Sequence, residues 1–155
     1  MKIDDVISAE LPNTIEDPIL FETVRKHMVH GPCGELNLNS PCMKDGKCTK
    51  RYPCELIHET QTGGDAYPLY KRRKPDEGGY ITTLKMSNAV VDIDNRWIVP
   101  YSPLLSKMFD AHINVEYKTL RDFQGNDQPM GGALILLAGD FPSNFAGYPA
   151  FNARR

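Results

Sequence analysis

The residues best suited to chemistry crowd into one stretch, His27 to Tyr52 (HMVHGPCGELNLNSPCMKDGKCTKRY), which holds three of the four cysteines and two of the four histidines. His30, Cys33, Cys42 and Cys48 follow one another as His-x2-Cys-x8-Cys-x5-Cys. Thiolates and a neutral imidazole are the donor types of a four-coordinate structural zinc site, and short intervening loops let one ion gather them. The spacing matches none of the common finger patterns, so the donor types carry the expectation more than the register does. The fourth position stays open. Cys54 in place of His30 gives an all-cysteine site, and His27 precedes His30 by three residues, on the same helical face.

A second chemical feature is basic charge. Residues 1–43 carry three basic and seven acidic side chains, whereas residues 44–74 carry eight basic and four acidic ones. Lys47, Lys50 and Arg51 lie beside the cysteines, and Lys71, Arg72, Arg73 and Lys74 follow Tyr67-Pro68-Leu69-Tyr70. Clustered Lys and Arg attract phosphate through counterion release, and neighbouring aromatics can stack bases. These seven residues are the candidate nucleic-acid contacts, although a run such as Lys-Arg-Arg-Lys is more commonly a solvated face.

The elements that must position these residues follow from the rest of the chain. Its 155 residues suffice for one domain with a real core. The net charge of −2 favours no partner by itself. No N-terminal run joins positive charge to an apolar core, and the longest apolar run, Ala133 to Ala138, is too short to span a bilayer. An intracellular protein with reduced cysteines is the expectation, so metal or free thiols rank above disulfides.

Residues Asp4 to Leu11 fit a short helix or a strand. Asp17-Pro18 starts a helix, because Asp caps free N–H groups and Pro suits the first helical position. The apolar residues Ile19, Leu20, Val24 and Met28 predict a helix over 18–29, ended by Gly31-Pro32. Residues 30–54 have neither a helical nor a strand period, and a loop of that length needs some tie other than a core. Tyr80–Met86 and Ala89–Ile93 predict two strands joined at Ser87-Asn88, with Trp97–Val99 extending the sheet. Ser102-Pro103 starts a short helix to about Phe109, and His112–Tyr117 alternates as a strand with Ile113 and Val115 inward. His112 is expected to be a packed or surface residue. Lys118–Asp127 is polar and expected to be helical at its start. Ala133–Ala138, followed by Gly139-Asp140, fits a buried parallel strand with an acidic residue at its C-terminal edge. The fold class expected is α+β: a loop-rich single domain with a short antiparallel sheet, two short helices and an orphan strand near the C-terminus.

Four blocks of this sequence, KHMVHGPCG, NSPCMKDGKCTKRYP, YPLYKRR and VDIDNRWIVPYSPLLSKMFDAHINVEY, resemble the replicase-helicase polyprotein of Helitron rolling-circle transposons and occur in that family's order. The likeness covers roughly residues 5–117. TLRDFQGNDQPMGGALILLAGDF is similar to the helicase part of the same polyprotein, a superfamily-one 5′-to-3′ DNA helicase, whose Gly-Asp-Phe-Arg-Gln motif is matched at Gly139, Asp140 and Phe141. The resemblance implies two segments, 1–117 from the replicase and 118–155 from the helicase, joined in an internally deleted copy. It also implies a nuclear location, DNA as partner, and ATP and magnesium as cofactors of the parent family.

The departures from the family decide the activity expected. There is no Gly-x-x-x-x-Gly-Lys-Thr loop, no Asp-Glu pair before the strand, and Pro142-Ser143 replaces the Arg-Gln. The nuclease's histidine pair and catalytic tyrosines are also missing. Phosphoryl transfer depends on such positioning and charge-neutralising groups, so neither ATPase nor DNA-nicking activity is expected. The reading is a remnant of an ATP-dependent DNA helicase and replicase. The alternative is a zinc-pinned nucleic-acid-binding module without enzymatic activity.

Overall fold

The computed structural model describes residues 2–62, 68–85, 90–119 and 133–139. The architecture is mixed α+β and loop-rich. Among the described residues two helices, α1 (Pro18–His27) and α2 (Pro103–Phe109), accompany four two-stranded antiparallel sheets. These pair β1 (Met43–Lys44) with β2 (Lys47–Cys48), β3 (Gln61–Thr62) with β4 (Pro68–Leu69), β5 (Thr82–Lys85) with β6 (Val90–Ile93), and β7 (Ile113–Thr119) with β8 (Ala133–Gly139). Among the described residues no helix is long and apolar enough to cross a membrane.

Helix α1 starts as its sequence dictates. The Asp17 carboxylate accepts the Leu20 N–H at 3.2 Å, Pro18 takes the first turn, and Arg25, Lys26 and His27 occupy the last. It ends two residues earlier than its apolar period suggests. The Met28 N–H still donates to Val24 O, but Val29 forms a β-bridge with Ile98, and the His30 N–H donates to Trp97 O at 2.8 Å. Long-range pairing therefore pulls the chain out of the helix before Gly31-Pro32.

Leu20, Val24 and Met28 recur every fourth residue and bury one face of α1 against Leu11, Cys33, Ile93, Trp97, Ile98 and Tyr101. Val24 and Met28 are fully buried, and each such side chain contributes roughly 2 kcal/mol. A smaller cluster joins Ile7, Ala111, Ile113 and Val115. Helix α2 is tied to α1 at Asp110, whose carboxylate accepts from Thr23 Oγ1 at 3.0 Å and lies 3.5 Å from His27 Nε2. Lys107 pairs with Asp17.

Several expectations need correction. Asn95–Trp97 is a 3-10 turn capped by Asp94, so Trp97–Val99 does not prolong the β5–β6 sheet; Ile98 and Val99 bond instead to Val29 and Met28. The segment Asp4–Leu11 is neither a regular helix nor a strand: Ile3–Asp5 forms one 3-10 turn, and Ser8 bridges to Tyr101. The apolar run 133–139 is a strand, but it pairs antiparallel with β7, from Ile113↔Gly139 to Thr119↔Ala133, rather than parallel in a larger sheet. Lys118 and Thr119 are strand residues within that ladder, not the start of a helix. The Ser87-Asn88 turn, Asp140, Phe141 and the rest of 120–132 and 141–155 lie outside the described residues.

Irregular backbone in the middle of the molecule is held by two buried polar side chains. Asn95 is fully buried, accepts the Leu11 N–H at 2.7 Å and donates to Arg73 O at 3.0 Å. Arg72, 4% exposed, donates through Nη1 to the carbonyls of Ala9, Asn95 and Ile98 at 3.1, 2.5 and 2.7 Å. Segments 9–11, 72–73 and 95–98 are thereby cross-linked where strand ladders are absent, and their buried carbonyls find donors. Arg73 completes the link with a two-nitrogen clasp of the Glu10 carboxylate, at 2.7 to 3.1 Å.

Candidate metal centre

Residues 34–49 fold back on themselves through a short hairpin. Asp45 and Gly46, the two residues between β1 and β2, both have positive φ, 52° and 75°. That pair of left-handed residues is the demand of a tight two-residue hairpin turn, and Asp-Gly is its common sequence solution. The turn returns Cys48 to a position opposite Met43, with Cys42 immediately before it. The Thr49 N–H donates to Cys42 O at 2.8 Å and the Arg51 N–H to Cys48 O at 3.0 Å, which closes the knuckle. Gly34 also has positive φ, 67°, and its N–H approaches Met43 Sδ at 3.2 Å, holding the His30–Cys33 turn against the hairpin.

The result is one cluster. The donor atoms of His30, Cys33, Cys42 and Cys48 all lie within 4.8 Å of one another. His30 Nε2 is 3.7 Å from Cys33 Sγ and 3.6 Å from Cys48 Sγ. A nitrogen ~2.05 Å and a sulfur ~2.3 Å from one tetrahedral zinc lie roughly 3.6 Å apart. These two edges therefore have the length that a shared zinc would impose. All four thiols of the chain are free of disulfides.

The electrostatics suit a cation. Burial, reinforced by the Lys50 charge, lowers the His30 pKa and keeps the imidazole in the neutral, ligating form. Burial and the adjacent thiols of Cys48 and Cys42 push Cys33 up to about 12, so Cys33 resists thiolate formation without a positive charge beside it. For Cys48, burial raises the pKa but is outweighed by the main-chain amides of Tyr52 and Lys50 and by the neighbouring thiols; the net shift is downward. Amides directed at a sulfur also orient a metal-bound thiolate. Behind the site the His30 ring stacks on Tyr52, with centroids 4.1 Å apart and planes 13° from parallel, and the Cys33 thiol donates to Tyr52 O at 3.8 Å.

The two alternative ligands lie outside the cluster. His27 faces Asp110 on the α2 side, because the chain leaves the helix after Met28 and the i, i+3 relation to His30 is lost. Cys54 is pinned through its N–H to Arg96 O at 2.9 Å, and burial raises its thiol pKa. His112 is a packing residue as expected; its Nδ1 lies 2.6 Å from His27 O.

The basic residues divide into two groups. Lys44, Lys47, Lys50 and Arg51, on or beside the metal knuckle, are all exposed. The Lys71–Lys74 run is not a continuous charged face. Arg72 is spent on interior carbonyls and Arg73 on Glu10, which removes both from the set of free phosphate contacts. Lys71 is half-buried and Lys74 exposed. Gly139 ends β8, opposite Ile113.

Two features escaped the sequence reading. The Asp45-Gly46 hairpin had a direct signal in its dipeptide. The interior role of Arg72 had none, since nothing in Lys-Arg-Arg-Lys separates one guanidinium from its neighbour. The chain matches no protein-family model, and no curated protein shows significant similarity to it.

Proposed function

We propose that the chain is a zinc-pinned nucleic-acid-binding module without enzymatic activity of its own. The observation that carries this reading is the convergence of His30, Cys33, Cys42 and Cys48 at edge lengths suited to a tetrahedral ion. When bound, zinc would serve as a structural cross-link: four protein donors leave no open coordination position for a substrate or water. His30 and Cys33 would hold it from the turn after α1, and Cys42 and Cys48 from the two sides of the β1–β2 hairpin.

The nucleic-acid part rests on charge placement. The metal knuckle carries Lys44, Lys47, Lys50 and Arg51 into solvent, and long cationic side chains on a rigid mount suit sequence-independent phosphate contact. On this reading the resemblance to the Helitron replicase-helicase records descent. The missing phosphate-binding loop, Asp-Glu pair and nuclease residues leave DNA binding, and not DNA unwinding or nicking, as the retained property. Fluorescence anisotropy with labelled single-stranded DNA tests it. The zinc-loaded chain should bind with affinity that falls steeply with salt. Replacing Lys44, Lys47, Lys50 and Arg51 by alanine should flatten the log K against log salt slope by about 3, at ~0.7 for each phosphate no longer neutralised. DNA-stimulated ATP hydrolysis would defeat the non-enzymatic reading, and binding unaffected by the four substitutions would defeat the assigned surface.

A further inference from the structure

The loop between Cys33 and Cys42 carries two apolar side chains that the core does not use. Leu36 is 51% exposed and Leu38 68% exposed. A lone exposed leucine needs no explanation, but these two share one loop, 34–41, whose flanking residues are both members of the donor cluster. Local bonds hold that loop in one shape. The Asn37 N–H donates to Gly34 O at 3.1 Å, the Ser40 N–H to Asn37 O at 3.3 Å, and the Asn39 N–H to Asn37 Oδ1 at 3.2 Å. The loop also rests on the β1–β2 hairpin, where the Met43 N–H donates to Ser40 O at 2.9 Å and the Gly34 N–H approaches Met43 Sδ. Lys44 follows Met43 directly, and Lys47 stands opposite Lys44 across the hairpin. The leucines therefore meet solvent on the same small, fastened unit as the exposed lysines.

The neighbours of the leucines decide what covers them. A standard protein interface takes about 800 Å² on each side, far more than two side chains offer. A bilayer would accept the leucines but not the residues interleaved with them. Glu35 and Asn39 are exposed and Asn37 is half-exposed in the run Glu35-Leu36-Asn37-Leu38-Asn39, and each amide carried into acyl chains without a partner costs roughly 2–7 kcal/mol. Nucleic-acid bases suit the whole run: apolar side chains wedge between base faces, while amides and a carboxylate meet the polar base edges. Glu35 repels phosphate, which turns this loop towards bases and leaves the backbone to Lys44, Lys47, Lys50 and Arg51. Asp45, between Lys44 and Lys47 at the hairpin turn, is outnumbered there. In a duplex such a wedge must first unstack a base step, at a few kcal/mol, whereas unpaired bases are already open to it. We infer that Leu36 and Leu38 form an apolar wedge that packs on unpaired bases and makes the module selective for single-stranded or locally opened DNA over duplex.

This inference rests on the nucleic-acid reading above and names the form of DNA that the module takes. It also separates two kinds of contact on one knuckle. The cations neutralise phosphates and set the salt dependence, whereas the leucines displace no counterions and set the preference for unpaired bases. Each can therefore be removed without the other.

The test follows three labelled probes by anisotropy on the zinc-loaded full chain across a salt series: a mixed-sequence single strand, its perfect duplex, and that duplex with a central unpaired bubble. The single strand and the bubble should bind ~10-fold more tightly than the duplex. The double variant Leu36→Ser/Leu38→Ser changes only exposed side chains and should keep its zinc content and circular dichroism. It should lose ~10-fold on the single strand and the bubble, as expected for two half-buried leucines, and bind all three probes alike. Its log K against log salt slope should stay as in the wild type, because no phosphate contact is lost. Lys44→Ala/Lys47→Ala should do the reverse, flattening the slope and keeping the preference. A leucine variant that kept the preference, or lost affinity only together with a flatter slope, would overturn the wedge and leave the module reading standing. Leucine-dependent binding to vesicles of phosphatidylcholine and phosphatidylserine, with the DNA preference unchanged in the variant, would overturn it in favour of a lipid surface. A wild-type chain that bound no probe would overturn both readings.

Discussion

Residues 30–54 and the region around Arg72 and Asn95 are both built from backbone with few regular ladders, yet different chemistry holds them. Around Arg72 the bonds are internal and complete: the guanidinium and one amide satisfy three segments distant in sequence, with apolar packing from Tyr101 and Ile98 alongside. In residues 30–54 the hydrogen bonds are mostly local turns, anchored at the two ends by the His30 N–H to Trp97 O and the Cys54 N–H to Arg96 O, and between those anchors the donors of His30, Cys33, Cys42 and Cys48 converge. One region carries its fastener in the sequence, whereas the other, on the zinc reading proposed above, carries the sockets for one. Irregular structure of the same appearance can therefore have opposite dependence on conditions. The Arg72 region should be indifferent to chelators, and residues 30–54 should not.

The largest effect expected comes from breaking the internal fastener. Arg72→Met leaves the carbonyls of Ala9 and Ile98 buried without a donor and that of Asn95 with only the Ile98 N–H at 3.4 Å, and a loss of about 3 kcal/mol is expected. Urea unfolding followed by circular dichroism should show it as a fall in midpoint at unchanged slope. Zinc-loaded and zinc-free protein should suffer alike. A cost that disappeared on metal removal would dissolve the distinction between the two regions.

Next in size is removal of a socket. Cys48→Ser should weaken zinc binding by more than the roughly 10–100-fold that loss of an outer-sphere partner costs. Competition with a chromophoric chelator measures it. In hydrogen exchange, amides of residues 31–54 should lose protection while those of Leu11, Trp97 and Tyr101 keep theirs. Uniform loss across the chain would mean that the two regions are one cooperative unit.

Gly46→Val is a smaller, sharper test. It leaves every ligand in place but puts a β-branched residue at φ 75°, at a cost of about 1–3 kcal/mol. That strain should fall on zinc affinity and spare the Arg72 region. Cys54→Ser, at the small end, should leave zinc affinity within about 2-fold, since an outer partner is worth at most ~10–100-fold and Cys54 is not even that.

The two regions were unequally legible in the sequence. Helix α1 was readable because Asp17-Pro18 and the every-fourth-residue spacing of Leu20, Val24 and Met28 are local signals. The pairing of β5 with β6 followed from two β-branched runs around a short turn, and the inward placement of Ile113 and Val115 from alternation, both local signals. The convergence of His30, Cys33, Cys42 and Cys48 was readable because Cys and His are rare residue types whose clustering has meaning before any fold is known. What failed was non-local. The bonds of Val29 and His30 to Ile98 and Trp97 ended α1 early and displaced His27 from the site. The antiparallel partner of β8 is a strand separated from it by residues 120–132, which no pattern inside the apolar run could reveal. Arg72 illustrates the limit most clearly, since four consecutive basic residues read as one charged patch until burial sorts them.

The most direct measurement is native mass spectrometry of the purified chain, wild type and Cys48→Ser, before and after a chelator. One zinc per wild-type chain is expected, removed by the chelator together with a shift to higher charge states, and none retained by Cys48→Ser. A wild-type chain with compact charge states and no zinc, or equal zinc retention by Cys48→Ser, would contradict the claim that His30, Cys33, Cys42 and Cys48 are the sockets of a metal-built module.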